Sequence, residues 1–429
     1  MGATVIRSDA SNPASALLKR SVNRLPDRIK PETSLLLQSF WILLVCGLID
    51  LFPGYFLGQY ERLLIMVPGL LMILPPTVGL RGNIFGALAS RLSSKLHLGT
   101  IEPRFRQNKE LRVQLMTSAI QLMLLSVAIP AVGLVVGLLF GLEMAGAHEL
   151  LFISILAGAV SGLLMFGISF GITFLTFRRG WDPDNVSAPI IASTGDILTI
   201  PILFFCAWLV IHLPSALVWV LGIGLMLLII SISLAVSMRG ALTPKVILRQ
   251  AFPIALIAVV ISTFSGLVLG ASFDSLLKGT IFLIMIPAFN GQGGSMGSIL
   301  GSRVTSAAYL GLHKLTLKPN QLAVSSMISL WLISLVVFSV LGAGGAIIGV
   351  MAGMGLPPIL QLAMIVIIGS TLITVLTSAA AYYTAYASFK TGLDPDNVVI
   401  PMLTAGMDVV GSGSLVIGIA LTGMLFVTI

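Results

Sequence analysis

Long apolar stretches separated by short polar segments run from residue 34 to the C-terminus. An apolar stretch of about 18 or more residues can cross a hydrocarbon core of about 30 Å as an α-helix. We therefore predict an all-α polytopic membrane protein with eleven spanning helices, at about residues 34–58, 63–80, 113–141, 150–176, 187–212, 215–237, 251–271, 279–298, 321–350, 358–386 and 399–427.

Composition supports the membrane class and excludes a soluble enzyme. Of the 429 residues, 57% are hydrophobic and 9% are charged, whereas soluble domains carry roughly 25% charged residues. Cys46 and Cys206 lie in apolar stretches and form neither a metal-binding spacing nor a disulfide framework. Residues 1–33 are polar and basic and lack the apolar core of a signal peptide, which predicts a cytoplasmic tail.

The positive charges predict the orientation in the membrane. If the N-terminus is cytoplasmic, only Arg62 and Lys278 of the 24 Lys and Arg residues fall outside, and Arg81 belongs to the first inner loop. Such a bias favours a cytoplasmic N-terminus and an outer C-terminus in the plasma membrane. The net charge of +8 is explained by this bias, so no nucleic-acid partner is expected.

The chain is a tandem repeat. An offset of 212 residues places Asp196 on Asp408, and it superposes two copies of the motif Gly-x-Asp-Pro-Asp-Asn-Val, at 180–186 and 392–398. We predict a five-helix repeat at 34–213, a connecting helix at 214–240 and a second five-helix repeat at 246–429. The extra helix gives both repeats the same orientation, so their pseudo-two-fold axis should follow the membrane normal. Duplicated halves are common in transporters, and we expect such a chain to function as a monomer.

Three acidic residues fall within predicted spans: Asp50, Asp196 and Asp408. A charge at membrane depth costs several kcal/mol and is a functional hypothesis by default. Asp196 and Asp408 lie about nine residues, or roughly 13 Å, from the inner ends of their spans, and Ser193 and Thr404 share their helix faces. No basic residue is expected deep enough to pair with them. Two carboxylates beside one axis would repel until a divalent cation bound between them; the alternative is that each accepts hydrogen bonds from nearby hydroxyls.

The repeated Asp-Pro-Asp-Asn motif directly precedes each of these acid-bearing spans. Proline disfavours helix at the residue before it, and Asp and Asn suit helix N-caps. The motif therefore predicts a helix N-terminus. A cation-attracting inner vestibule is the functional alternative, formed by Asp182, Asp184, Asn185, Asp394, Asp396 and Asn397.

A second repeated motif, Pro-x-x-x-Gly-x-x-Gly, is predicted to end the second span of each half. Small residues allow close helix packing, or expose backbone carbonyls where a helix is broken. We predict pore-lining positions with helix breaks at Gly79, Gly82, Gly291, Gly294, Pro189 and Pro401. Asn83, which follows the first motif, offers a neutral oxygen that suits a hard cation or its water shell, and Ser295 stands at the equivalent position.

These motifs resemble those of the MgtE-type magnesium transporters. Gly-x-Asp-Pro followed by Pro-x6-Asp is similar to their last membrane helix, and the block from Pro75 to Asn83 resembles their second. The doubled Asp-Pro-Asp-Asn-Val is closer to the solute carrier family 41 branch. The resemblance implies two fused MgtE-like domains, with Asp196 and Asp408 binding hydrated Mg²⁺ and Asn83 holding its water shell. Ser295 departs from the Asn expected there, so the halves are not equivalent.

The function predicted is transport of a divalent cation, most of all Mg²⁺, with Mn²⁺ or Co²⁺ in the same class. No organic cofactor and no enzymatic activity are expected. Coupling to Na⁺ or H⁺ is the open alternative to a channel. An intramembrane aspartyl protease also needs two aspartates, but the sequence before Asp196 is Ser-Thr-Gly and lacks the first glycine of the Gly-x-Gly-Asp signature. A membrane scaffold would predict that neither aspartate affects ion flux.

Overall fold

The fold, given by a computed structural model, is a bundle of α-helices. The structure describes residues 33–97, 101, 109–179, 183–238, 242–273, 276, 281–309, 315–391 and 395–426, so most of the predicted tail lies outside the described residues. In chain order the helices are α1 (Thr33–Gln59), α2 (Glu61–Met66), α3 (Leu70–His97), α4 (Lys109–Leu139), α5 (Ala147–Arg178), α6 (Pro183–His212), α7 (Ser215–Met238), α8 (Leu242–Ala271), α9 (Ile281–Tyr309), α10 (Gln321–Met351), α11 (Ile359–Thr391) and α12 (Pro395–Phe426).

The all-α membrane architecture predicted from the sequence is confirmed. Within the described part of the chain, nine helices are long and apolar enough to cross a membrane, and α1 adds a shorter apolar stretch at Leu43–Gln59. Each of the eleven predicted spans overlaps one of the long helices. The number of helices that cross the bilayer and the orientation of the termini stay predictions.

The first helix of each half packs against the other half. α1 contacts α9 and α10 of the second half and α6 of its own, whereas α8 contacts α3 and α4 of the first half and α12 of its own. Two glycines allow this approach: a Cβ at Gly54 would overlap the carbonyl oxygen of Ile284, and one at Gly266 would lie 2.6 Å from the carbonyl oxygen of Met72. These two contacts are related by the 212-residue offset.

The two helices that carry the Gly-x-x-Gly motifs, α3 and α9, continue well beyond their predicted spans. α3 extends to His97 because its polar end is held by α4: Arg91 donates to Gln114 Oε1 at 2.8 Å and to Ser118 Oγ at 3.0 Å. Lys95 also forms an ion pair with Glu110, with N and O atoms 2.5 Å apart. Hydropathy alone ends the span where charges begin, whereas these side-chain contacts allow the helix to continue.

The predicted helix breaks are absent from the described backbone. α3, α6, α9 and α12 are continuous through all six positions, namely Gly79, Gly82, Gly291, Gly294, Pro189 and Pro401. Membrane helices tolerate Pro and Gly because neighbouring helices and polar side chains satisfy the freed backbone groups. A pore-lining role for these residues does not require a break and stays a prediction.

Arg81 was expected in a cytoplasmic loop, and that placement is wrong. Its side chain is fully buried in the middle of α3. Its Nε donates to Ser161 Oγ on α5 at 3.1 Å, and Nη1 donates to the carbonyl oxygen of Thr77 one turn earlier. A buried charge needs hydrogen-bond partners; these two groups accept from Nε and Nη1, whereas the buried Nη2 atom has no partner.

Candidate cation site

The two repeated aspartates lie in the middle of the last helix of each half. Asp196 on α6 and Asp408 on α12 each follow the first residue of their helix by 13 positions, and both side chains are partly exposed. The helices begin at Pro183 and Pro395, as the Asp-Pro-Asp-Asn motif predicts, and proline is favoured at the first position of a helix. Of the predicted vestibule, Asp182 and Asp394 lie outside the described residues, and only the helical backbone is described for Asp184, Asn185, Asp396 and Asn397.

Asp408 is held by helices of both halves. Ser262 on α8 donates a hydrogen bond from Oγ to Asp408 Oδ2 at 2.6 Å. Gly79 on α3 faces the same oxygen, since a Cβ at this position would lie 3.1 Å from Asp408 Oδ2. The motif glycine therefore lies directly at the carboxylate.

A polar network lies one turn beyond Asp408. Asn290 and Ser412 are hydrogen-bonded to each other. Asn290 Nδ2 donates to Ser412 Oγ at 3.0 Å, and Ser412 Oγ donates to Asn290 Oδ1 at 3.1 Å. The hydroxyls of Ser412 and Ser265 are 2.8 Å apart. The sequence analysis did not identify Asn290, Ser265 and Ser262 as neighbours of Asp408, because the sequence pattern does not show which helices pack together.

Two predicted site residues meet between the halves. Thr404 on α12 donates a hydrogen bond from Oγ1 to Asn83 Oδ1 on α3 at 3.0 Å. Gly294 on α9 also faces Thr404, with a Cβ there 3.5 Å from the threonine methyl carbon. Ser295, the counterpart of Asn83, is partly buried on α9.

Two other carboxylates act electrostatically on Asp196, namely those of Asp50 on α1 and of Asp408. Asp50 is 3% exposed, and the polar side chains of Ser193 and Gln292 are its neighbours. Sequence reasoning identified Asp50 as an acid within a span but left it out of the site. Its position follows from the packing of α1 against α9, for which the sequence carries no signal.

The site offers few direct ligands for a bare ion. Among the described residues, no three His, Cys, Asp or Glu side chains converge as a metal-binding group. Carboxylates that are accompanied by hydroxyl and amide oxygens suit an ion that keeps part of its water shell. Mg²⁺ is such an ion, because it dehydrates reluctantly and usually retains several waters.

Comparison with known proteins identifies the family of the chain. Residues 74–206 and, again, residues 286–418 match the family MgtE, described as a divalent cation transporter. The two matches are separated by the same 212 residues as the repeat, and together they cover more than half of the chain. The chain belongs to the MgtE family. The two fused MgtE-like domains predicted from the sequence are thereby confirmed, and so is the assignment to transporters rather than enzymes.

Individual MgtE relatives extend the similarity over most of the chain. Solute carrier family 41 member 3 of Mus musculus is 25% identical over 408 residues, which cover 90% of this chain and 82% of the relative. Member 2 of the same organism is 24% identical over 72% of this chain and 54% of its own length. Member 3 of Rattus norvegicus is 28% identical over 57% of this chain and 53% of its own length. No solved structure matches the chain.

Proposed function

We propose that this protein carries Mg²⁺ across the cell membrane along a path between its two halves. Asp196 and Asp408 bind the partly hydrated ion near mid-membrane. The observation that carries the proposal is their arrangement: repeat-related carboxylates at the centres of α6 and α12, both partly exposed, with interacting charges. Repulsion between them in a low-dielectric setting is relieved when a divalent cation binds.

The neighbouring side chains supply neutral oxygens for the ion's water shell. Asn83 and Thr404 form a polar contact between the halves at 3.0 Å, and Ser193 and Ser295 add hydroxyls on α6 and α9. Hard cations prefer such oxygen ligands. Mn²⁺ and Co²⁺ share the charge and are expected to compete with Mg²⁺ for this site.

The proposal also includes a functional unit and an orientation in the membrane. One chain supplies both halves, so the functional unit is a monomer with parallel repeats, a cytoplasmic N-terminus and an outer C-terminus. The acidic and amide residues that begin α6 and α12 form the inner vestibule. Transport coupled to Na⁺ or H⁺ is the alternative to a channel.

Mg²⁺ flux into proteoliposomes tests the proposal. We expect Asp196→Asn and Asp408→Asn to reduce flux severely while the proteins elute as monodisperse peaks, and Glu143→Gln, in an exposed loop, to serve as the matched control. Near-normal flux in either aspartate variant would remove that residue from the site. Flux without a Na⁺ or H⁺ gradient supports a channel, and strict dependence on one gradient supports an exchanger.

A further inference from the structure

A third carboxylate in the bundle has no role in the function proposed above. Asp50 on α1 is buried, and its Oδ1 atom has no hydrogen-bond partner. The neighbouring Gln292 on α9 is fully buried, and neither its Oε1 nor its Nε2 has a partner. An unsatisfied buried polar group is destabilising, so adjacent unsatisfied atoms on two helices favour a polar ligand between them.

The repeat relates the residues around Asp50 to those around Asp408. The 212-residue offset places Asp50 on Ser262, Gly291 on Gly79 and Asp196 on Asp408. In the second half-site, Ser262 hydrogen-bonds Asp408 beside Gly79.

The first half-site has a carboxylate, that of Asp50, at the position where the second has the hydroxyl of Ser262. A Cβ at Gly291 would lie 2.7 Å from Asp50 Oδ2, and the charge of Asp50 acts on Asp196. Where the second half-site has one carboxylate and a hydroxyl, the first therefore has two carboxylates.

The difference in charge has a direct consequence. Two neighbouring carboxylates repel in a low dielectric, whereas Asp408 receives a hydrogen bond from a neutral group. The buried guanidinium of Arg81 hydrogen-bonds Ser161 and Thr77 instead of this pair. A divalent cation neutralises two carboxylates, and the amide oxygen of Gln292 is a further hard ligand for it.

We propose that Asp50 is a cation-binding residue of the transporter. Asp50, Asp196 and Gln292 form an acidic half-site that binds a divalent cation more tightly than the half-site of Asp408 and Ser262. The proposal rests on the divalent transport function and adds that the two halves bind the ion unequally, with positions 50 and 262 as the determinant.

Exchanging the two repeat-related residues tests the proposal. Mn²⁺ binding to the purified full-length protein is measured by electron paramagnetic resonance for Asp50→Ser, for Ser262→Asp, and for both together. We expect Asp50→Ser to weaken Mn²⁺ affinity about tenfold or more, which corresponds to about 1.4 kcal/mol. The double variant should recover affinity to within about threefold of wild type, because it rebuilds the pair of carboxylates beside Gly79. Glu143→Gln, which removes a carboxylate from an exposed loop outside the site, is the control and should leave the affinity unchanged.

Several outcomes would overturn the proposal. Wild-type affinity in Asp50→Ser would do so, and so would a folded double variant that recovers nothing. Should the exchange variants fail to fold, Asp50→Asn keeps the shape and removes the charge, and wild-type affinity in that variant is equally decisive. The variant Asp196→Asn separates failure of this proposal from failure of the proposed function. If only the role of Asp50 is wrong, Asp196→Asn still loses Mn²⁺ binding and Mg²⁺ flux. If the proposed function is wrong, Asp196→Asn keeps both.

Discussion

Thr404 and Asn83 join the two halves of the protein through one hydrogen bond, 3.0 Å long, from α12 to α3. Their repeat-related counterparts are Ala192 and Ser295. Alanine has no polar side-chain atom, so this bond has no equivalent on the other side of the pseudo-two-fold axis. The asymmetry that the sequence indicates at position 83 is therefore matched by an asymmetry at position 404.

Replacing the two counterparts should have unequal effects on ion binding. Asn83→Ala should weaken Mg²⁺ binding more than Ser295→Ala, because the amide reaches further and offers both a donor and an acceptor. The expected loss is that of one hydrogen bond to a charged group, about 1.5–3 kcal/mol. Isothermal titration of Mg²⁺ into both purified variants measures the difference.

Ser295→Asn is the matching control for this comparison. It should preserve transport, since it restores the residue that the other half already has. If both alanine variants bind Mg²⁺ as wild type does, these positions serve helix packing and the site consists of the aspartates alone.

The motif glycines should be sensitive to a single methyl group. In Gly291→Ala the added carbon would lie 2.7 Å from Asp50 Oδ2, and in Gly79→Ala it would lie 3.1 Å from Asp408 Oδ2. Overpacking of this kind costs about 1–3 kcal/mol, so we expect reduced Mg²⁺ flux in both, with the larger loss at Gly291. Gly86→Ala lies on the same helix as Gly79 and meets no atom within 4 Å, and it should transport normally. A loss of flux in all three variants alike would argue against a specific effect on the site.

Arg81 should depend on its partner Ser161 for stability. Ser161→Ala removes the acceptor of a 3.1 Å hydrogen bond to a buried cation, and the unsatisfied group should cost about 1–3 kcal/mol. The same Ser161→Ala change should cost little in an Arg81→Met background, because the charge is then gone. Thermal unfolding of the four proteins in detergent gives the coupling energy of this cycle. A coupling near zero would show that the hydrogen bond contributes nothing to stability.

The predicted parallel layout places two loops on one face of the membrane. Single cysteines introduced at Glu143 and Gly355, both exposed, should react with a membrane-impermeant maleimide from outside. The background should carry Cys46→Ala and Cys206→Ala, because both native thiols are free. Labelling of the two loops from opposite faces would contradict the eleven-span topology.

Sequence patterns predicted the helices and the repeat well because hydropathy and motif spacing are local properties. The aspartates at 196 and 408 could be predicted as site residues because an acid in an apolar span is conspicuous. The hydrogen bond from Ser262 to Asp408 and the proximity of Asp50 to Gly291 were not predictable, since they depend on which helices pack together. Arg81 was misplaced for a related reason: a charge ends a hydropathy window, whereas groups inside the bundle, such as the Ser161 hydroxyl on a neighbouring helix, can accept hydrogen bonds from it.

The packing of α1 against the second half also sets an order for biosynthesis. α1 leaves the ribosome well before α9, which begins about 220 residues after α1 ends. At about 5–20 residues per second, roughly 10–45 s pass before that partner exists. During this interval the face of α1 that carries Asp50 is covered by lipid, by other nascent helices or by the insertion machinery. Maturation of the ion path therefore waits for the last third of the chain, and a polypeptide interrupted after the first repeat leaves α1 without two of its neighbours.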